Sequence, residues 1–231
     1  MGAATIELTI SDEHRLSAYE SRPESPSAAI VIVQEIFGVN PHIRSVVDRY
    51  AALGFHAIAP ALFDRVERGV ELEYTPDDGL RGREIRAGIE WAWPVLDIGA
   101  AVAHVSSTGP VAVVGYCWGG SVAWLAASEL PIAAAVGYYG GQITQFLDHQ
   151  PKCPVLLHFG ALDSMIPLDD VATIGERFPD VEVHVYDEAD HGFNCDVRAT
   201  YHPESAALAL ERTLAFLARN GASAGRGPAE R

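Results

Sequence analysis

The sequence predicts an α/β fold, a mostly parallel central sheet with helices on both faces. Three observations lead there. Short apolar runs alternate without a break with longer stretches patterned at helical spacing. The runs are apolar along most of their length, as strands covered on both faces must be. No internal repeat and no long linker divides the chain, so residues 1–219 read as one domain, followed by a tail over 220–231, NGASAGRGPAER, expected to be disordered.

The elements follow in order. AAIVIVQ (28–34) reads as a buried strand. Asn40 then caps a helix with Pro41 at its first position and Gly54 just past its end, and Ile43, Val46, Val47, Tyr50 and Ala51 recur on one face. FHAIAP (55–60) is the next strand, and the polar residues 61–79 read as a surface excursion. Residues 80–106 are helical in pattern but interrupted at Pro94, giving a kink or two helices. PVAVVG (110–115) is a strand, with a helix over about 118–129. IAAAVGYYG, PVLLHFG and VEVHVY give three more strands, and residues 203–219 a closing amphipathic helix.

Composition narrows the function. The 231 residues are 48% hydrophobic, enough for a sizeable core. A formal net charge of -15 argues against nucleic acid or an anionic membrane surface as partner. No apolar run is long enough to span a membrane, and the N-terminus lacks the form of a signal peptide, so a cytoplasmic, monomeric protein is expected. Cys117, Cys153 and Cys195 are too few and too widely spaced for a disulfide framework or a zinc site, which fits a reducing compartment.

The chemistry centres on VVGYCWGG (113–120). Gly115-Tyr116-Cys117-Trp118-Gly119 has the form of a nucleophile elbow with cysteine in place of serine, set between an apolar strand and a helix. Such a turn lifts the sulfur to the positive end of the helix, which favours a thiolate. A buried cysteine in a glycine-rich turn is the plainer alternative. A nucleophile also needs a base and a group to orient it, here expected in the order nucleophile, acid, histidine, each just beyond a strand. Asp163 follows PVLLHFG and His191 follows VEVHVY, so both fit. His158 and His184 lie within strands, His56 begins one, and His42, His104, His149 and His202 lack such a loop. Asp163 could instead cap a helix, with Asp190 as the alternative acid, although adjacent residues seldom face each other. The oxyanion donors are expected to be the backbone N–H of Trp118 and, after the first buried strand, of Ile36. Glu35 ends that apolar strand, where a salt bridge is the plain reading.

QEIFGVN, GYCWGG, GYYGG, LHFGALD and HGF, in this order, resemble the dienelactone hydrolase family (carboxymethylenebutenolidases) of the α/β-hydrolase superfamily over roughly residues 5–217. The resemblance implies hydrolysis of a small carboxylate-bearing enol lactone, or a related ester, without metal or organic cofactor. It places a triad on Cys117, Asp163 and His191. It also implies that Glu35 holds the resting thiol and takes its proton when an anionic substrate arrives, and that Tyr138 lines the pocket. The chain departs from the family where a serine and then an arginine follow the histidine: it has Gly192 and Cys195, with Arg198 three residues later. Ser164 and Met165 replace bulkier residues beside the acid. Arg81, Arg83, Arg86 and Arg198 remain candidates for binding a substrate carboxylate. A general esterase or thioesterase for neutral substrates, and a ligand-binding protein on the same fold, are the competing readings.

Overall fold

The computed structural model describes residues 2–225. Eight strands form one sheet in the order β1-β2-β4-β3-β5-β6-β7-β8. These are β1 (Gly2–Thr9), β2 (Arg15–Arg22), β3 (Ala29–Val33), β4 (His56–Pro60), β5 (Val111–Tyr116), β6 (Ala134–Tyr138), β7 (Val155–Gly160) and β8 (Glu182–Tyr186). The strands from β4 through β3 to β8 pair in parallel, while β1 and β2 form an antiparallel hairpin whose second strand pairs antiparallel with β4. Every residue of β3, β5, β6 and β7 is buried, so both faces of the sheet are covered, as their apolar sequences require. The hairpin was not expected from the sequence. β2 is mostly polar, and β1 lies largely exposed along the sheet's edge.

The helices are α1 (Pro41–Ala52), α2 (Pro76–Ala87), α3 (Ala92–Val105), α4 (Trp118–Glu129), α5 (Leu168–Arg177) and α6 (Pro203–Arg219). The Asn40 side chain accepts the Ile43 N–H at 3.1 Å, capping α1 as its sequence predicts. The helical stretch around Pro94 resolves into two helices, with Pro94 in the first turn of α3, where its missing N–H costs no helical bond. The polar excursion is more than surface: Leu62, Phe63 and Asp64 are buried, and Thr75 caps α2 by accepting the Asp78 N–H. The expected disordered tail is corrected at its start. Ala222 is fully buried, the Ser27 hydroxyl donates to the Ser223 carbonyl at 2.8 Å, and Gly225 N–H reaches the Gly54 carbonyl, so packing and hydrogen bonds hold residues 220–225 in place. Residues 226–231 of that tail lie outside the described residues. No helix among the described residues is long and apolar enough to cross a membrane.

From β3 the chain first moves outward to β4 and then returns to β5 on the other side. The loops after β3 and β5 therefore diverge at the point where the strand order reverses, which opens a crevice at the carboxyl ends of the strands. Glu35–Phe37 and Cys117 lie there.

One buried histidine beneath this crevice makes a stability prediction. His158 on β7 is fully buried, its Nδ1 2.9 Å from the Tyr186 hydroxyl and its Nε2 3.0 Å from Thr213 Oγ1. Burial, with the His184 and Arg212 charges, holds its pKa well below the ordinary histidine value, so the folded chain keeps it neutral. The unfolded chain takes up a proton there as pH falls through about 6.5. Below that point His158 thus subtracts stability, by up to about 1.4 kcal/mol per pH unit, and above it contributes no slope. Denaturant unfolding of His158→Gln between pH 6.5 and 5 is expected to show a pH dependence shallower by about one proton; an unchanged slope refutes the assignment.

Candidate active site

The elbow is built by steric necessity. Cys117 sits between β5 and α4 at φ 54° and ψ -119°, a conformation rare for a residue with a side chain. A Cβ on Gly115 would lie 1.9 Å from the Gly119 carbonyl oxygen, and one on Gly119 would lie 2.4 Å from the Val33 carbonyl oxygen. Only glycines let α4 approach both β5 and β3 so closely. The strained turn presents the sulfur to His191, whose Nε2 lies 3.2 Å from Cys117 Sγ.

His191 follows β8 and Asp163 follows β7. Asp163 Oδ2 accepts from His191 Nδ1 at 2.7 Å, and Asp163 Oδ1 accepts the Met165 N–H at 2.9 Å. This carboxylate is fixed by its own loop and stabilises no helix end. Asp190, the alternative acid, accepts the His191 backbone N–H at 2.6 Å, while the ring nitrogens face Asp163 and Cys117. Burial disfavours a charged His191, but the Cys117 sulfur and the bond to Asp163 outweigh it and raise its pKa to about 10. The arrangement supports a protonated His191 facing the sulfur.

Glu35, with its side chain fully buried, lies beside this group but not on the sulfur. Its Oε2 accepts the Tyr74 hydroxyl at 2.8 Å and its Oε1 faces Arg198 Nη1 at 3.4 Å. The implied hold on the resting thiol is thus corrected: the sulfur is engaged by His191, and Glu35 by a phenol and a guanidinium. Tyr74, from the polar segment before α2, is the site residue that sequence reasoning missed. Burial and the neighbouring Glu35 charge push its pKa far up, so it stays a hydrogen-bond donor.

The Ile36 N–H has no hydrogen-bond partner among the described residues, and Trp118 is the first residue of α4, whose N–H has no helical partner. Both predicted oxyanion donors are therefore free in kind, at the two loops of the crevice. Helix α2 presses on the first loop through Gly82, where a Cβ would lie 1.9 Å from the Ile36 carbonyl oxygen.

Tyr138 is corrected outright. It ends β6 fully buried, stacked on Tyr116 at 4.8 Å and bonded through its hydroxyl to Thr213 Oγ1 at 2.7 Å. Its neighbour Tyr139, just beyond the strand at φ 41°, turns toward the site and sets its ring 5.1 Å from that of His191. The arginines divide similarly. Arg81 is exposed and paired with Glu67 and Glu84, and Arg83 is exposed. Arg86 is half-buried, with its guanidinium 4.1 Å from the Trp91 ring and 5.5 Å from that of Trp118, and has no carboxylate partner among the described residues. Arg198 reaches Glu35 through the space beside Gly192, where a Cβ would come within 2.4 Å of its Nη1.

With this geometry in place, comparison with known proteins decides the family. The model of the dienelactone hydrolase family matches residues 16–221. The chain belongs to the dienelactone hydrolase family. A carboxymethylenebutenolidase of Pseudomonas putida is 36% identical over 230 residues, covering 92% of this chain and 95% of that protein. One from Pseudomonas knackmussii shows the same identity and coverage. A crystal structure from Klebsiella pneumoniae whose name places it with the dienelactone hydrolases superposes with a TM-score of 0.83 at 32% identity, covering 95% of this chain and all of that one. The chain is thus an α/β-hydrolase acting on ester or lactone bonds of small molecules.

Proposed function

We propose that the chain hydrolyses a small carboxylate-bearing enol lactone through a thioester on Cys117. The observation carrying this reading is the single line of contacts from Cys117 Sγ to His191 Nε2, and from His191 Nδ1 to Asp163 Oδ2. The thiolate attacks the lactone carbonyl, and the oxyanion is received by the Ile36 and Trp118 N–H groups. As the ring C–O bond breaks, the His191 imidazolium gives its proton to the leaving enolate oxygen. Water, deprotonated by His191, then attacks the thioester, and the carboxylate product departs as the sulfur is released. Arg86 lies near Trp118 with no acidic partner among the described residues, and it offers a substrate carboxylate two parallel hydrogen bonds. Arg198 offers the same only by leaving Glu35.

An anionic enol lactone and a neutral aryl ester assayed side by side, with rapid quenching and mass analysis of the peptide carrying Cys117, test the reading. Preference for the lactone and an acyl mass on that peptide are expected, with Arg86→Ala raising KM for the lactone alone. Preference for the neutral ester, with the adduct still present, replaces the substrate class by general ester or thioester hydrolysis. Absence of any adduct removes the thioester.

Glu35 is assigned the thiol's proton on substrate arrival, because a substrate carboxylate competes for Arg198 and loosens the pair that restrains it. Glu35→Gln keeps a hydrogen-bonding group but no base. It is expected to lower kcat/KM for the anionic lactone by about a hundredfold, with melting nearly unchanged. An undiminished kcat/KM leaves Glu35 a structural ion-pair partner only.

A further inference from the structure

A second constellation adjoins this site on its buried side. Glu35 from the loop after β3, His42 from the first turn of α1 and Cys195 from the segment before α6 each present one ligand-type atom within 4.8 Å of the others, and all three residues are buried. We propose that Glu35, His42 and Cys195 form a binding site for a zinc ion.

The donor set selects the metal. Thiolate, imidazole and carboxylate together suit a borderline-soft divalent ion, whereas magnesium and calcium require oxygen donors. Zinc bonds of about 2.0–2.3 Å in a tetrahedron separate their ligands by roughly 3.5 Å, so these atoms need close by little more than about an ångström. The outer shell is already in place. Asp196 Oδ1 lies 3.0 Å from His42 Nδ1, and Arg49 in turn holds Asp196 at 3.4 Å. A carboxylate on Nδ1 fixes the proton there and leaves the Nε2 lone pair for a metal, the usual carboxylate–histidine–zinc arrangement. The Tyr74 hydroxyl steadies Glu35 in the same way.

Charge also balances. Glu35 and a Cys195 thiolate neutralise the two charges of zinc, the thiol proton passing to solvent buffer on binding. Arg198 is now the counter-ion of Glu35, and its side chain, 22% exposed, can yield that place by swinging outward. A water molecule would supply the fourth ligand of the tetrahedron. The spacing of the cysteines gives no hint of such a site, because its ligands are brought together only by the fold. That zinc here also stops turnover rests on the role proposed for Glu35.

The test uses the full chain stripped with EDTA and titrated with cobalt, a spectroscopic stand-in for zinc. A sulfur-to-cobalt charge-transfer absorption, displaced by one equivalent of zinc, is expected in the wild type and in Cys117→Ala. It is expected to vanish in Cys195→Ser and His42→Ala, with basal turnover and melting reporting that each has folded. Asp196→Asn, at a partly exposed side chain, is expected to weaken zinc 10–100-fold. No absorption in the wild type, absorption lost in Cys117→Ala but kept in Cys195→Ser, or unchanged affinity in Asp196→Asn each overturns the site. Zinc bound to Cys195 with turnover undiminished upholds the site and instead removes the proposed role of Glu35.

Discussion

Cys117→Ala is expected to lower kcat/KM at least about ten-thousandfold while the protein melts within a few degrees of the wild type. The loss is chemical. Without the sulfur there is no atom 3.2 Å from His191 Nε2 to attack a carbonyl, although both N–H donors and the binding crevice remain. Alanine accepts the backbone angles of the elbow as well as cysteine does, and the Cβ it keeps is already accommodated. Cys117→Ser is expected to recover only a small part of the activity. Serine is far less acidic than a thiol, whose pKa is about 8.5, so His191 must do work that the sulfur does not demand. The same variants report on charge: loss of the sulfur is expected to lower the His191 pKa from about 10, followed by NMR titration of the imidazole. Substantial hydrolysis by the alanine variant refutes the nucleophile, and an unmoved imidazole titration refutes the coupling of His191 to the sulfur.

Asp163→Asn is expected to cost about three to four orders of magnitude in kcat/KM near neutral pH. Asp163 accepts from His191 Nδ1 and from the Met165 N–H at once. Asparagine keeps its oxygen for the loop N–H and turns its NH2 toward Nδ1. The ring then answers with the other tautomer, its proton on Nε2 and its lone pair turned to the amide, so the imidazolium that must protonate the leaving group forms less readily. The carboxylate's support for the imidazolium disappears with it, so the alkaline limb of kcat/KM, set by His191 near 10, is expected to move to lower pH. A loss smaller than about tenfold assigns Asp163 to loop structure alone.

The parts of this site that could be read from the sequence are those fixed by strand ends. Cys117 directly follows an apolar run, Asp163 and His191 lie in the loops just beyond β7 and β8, and in a parallel sheet such positions converge on one edge. Glu35 was locatable for the same reason, but its partners were not. Tyr74 lies in a polar stretch without periodicity, and the only local signal is the helix cap and proline, Thr75 and Pro76, immediately after it. Arg198 depends on the path of an irregular segment. The tyrosine pair shows a finer limit: one residue decides whether a side chain stays in the strand's alternation, as Tyr138 does, or leaves it at a positive φ, as Tyr139 does. The β1–β2 hairpin escaped because an exposed edge needs no apolar face along its length.

Gly192 and Arg198 are bound to one another as heritable characters. A side chain at 192 would occupy the ground on which the guanidinium rests, and at φ 78° it would also strain the backbone. The long arginine can bend away, so Gly192→Ser spares the fold and dislodges the charge from Glu35. In an Arg198→Ala background the same serine has no charge left to dislodge, and its effect shrinks to backbone strain. The two substitutions are therefore non-additive. A lineage that carries its arginine at position 198 must hold glycine at 192 first, or pass through a form in which Glu35 has lost its cation. The order of mutation, and not only its sum, determines which descendants of this site keep working.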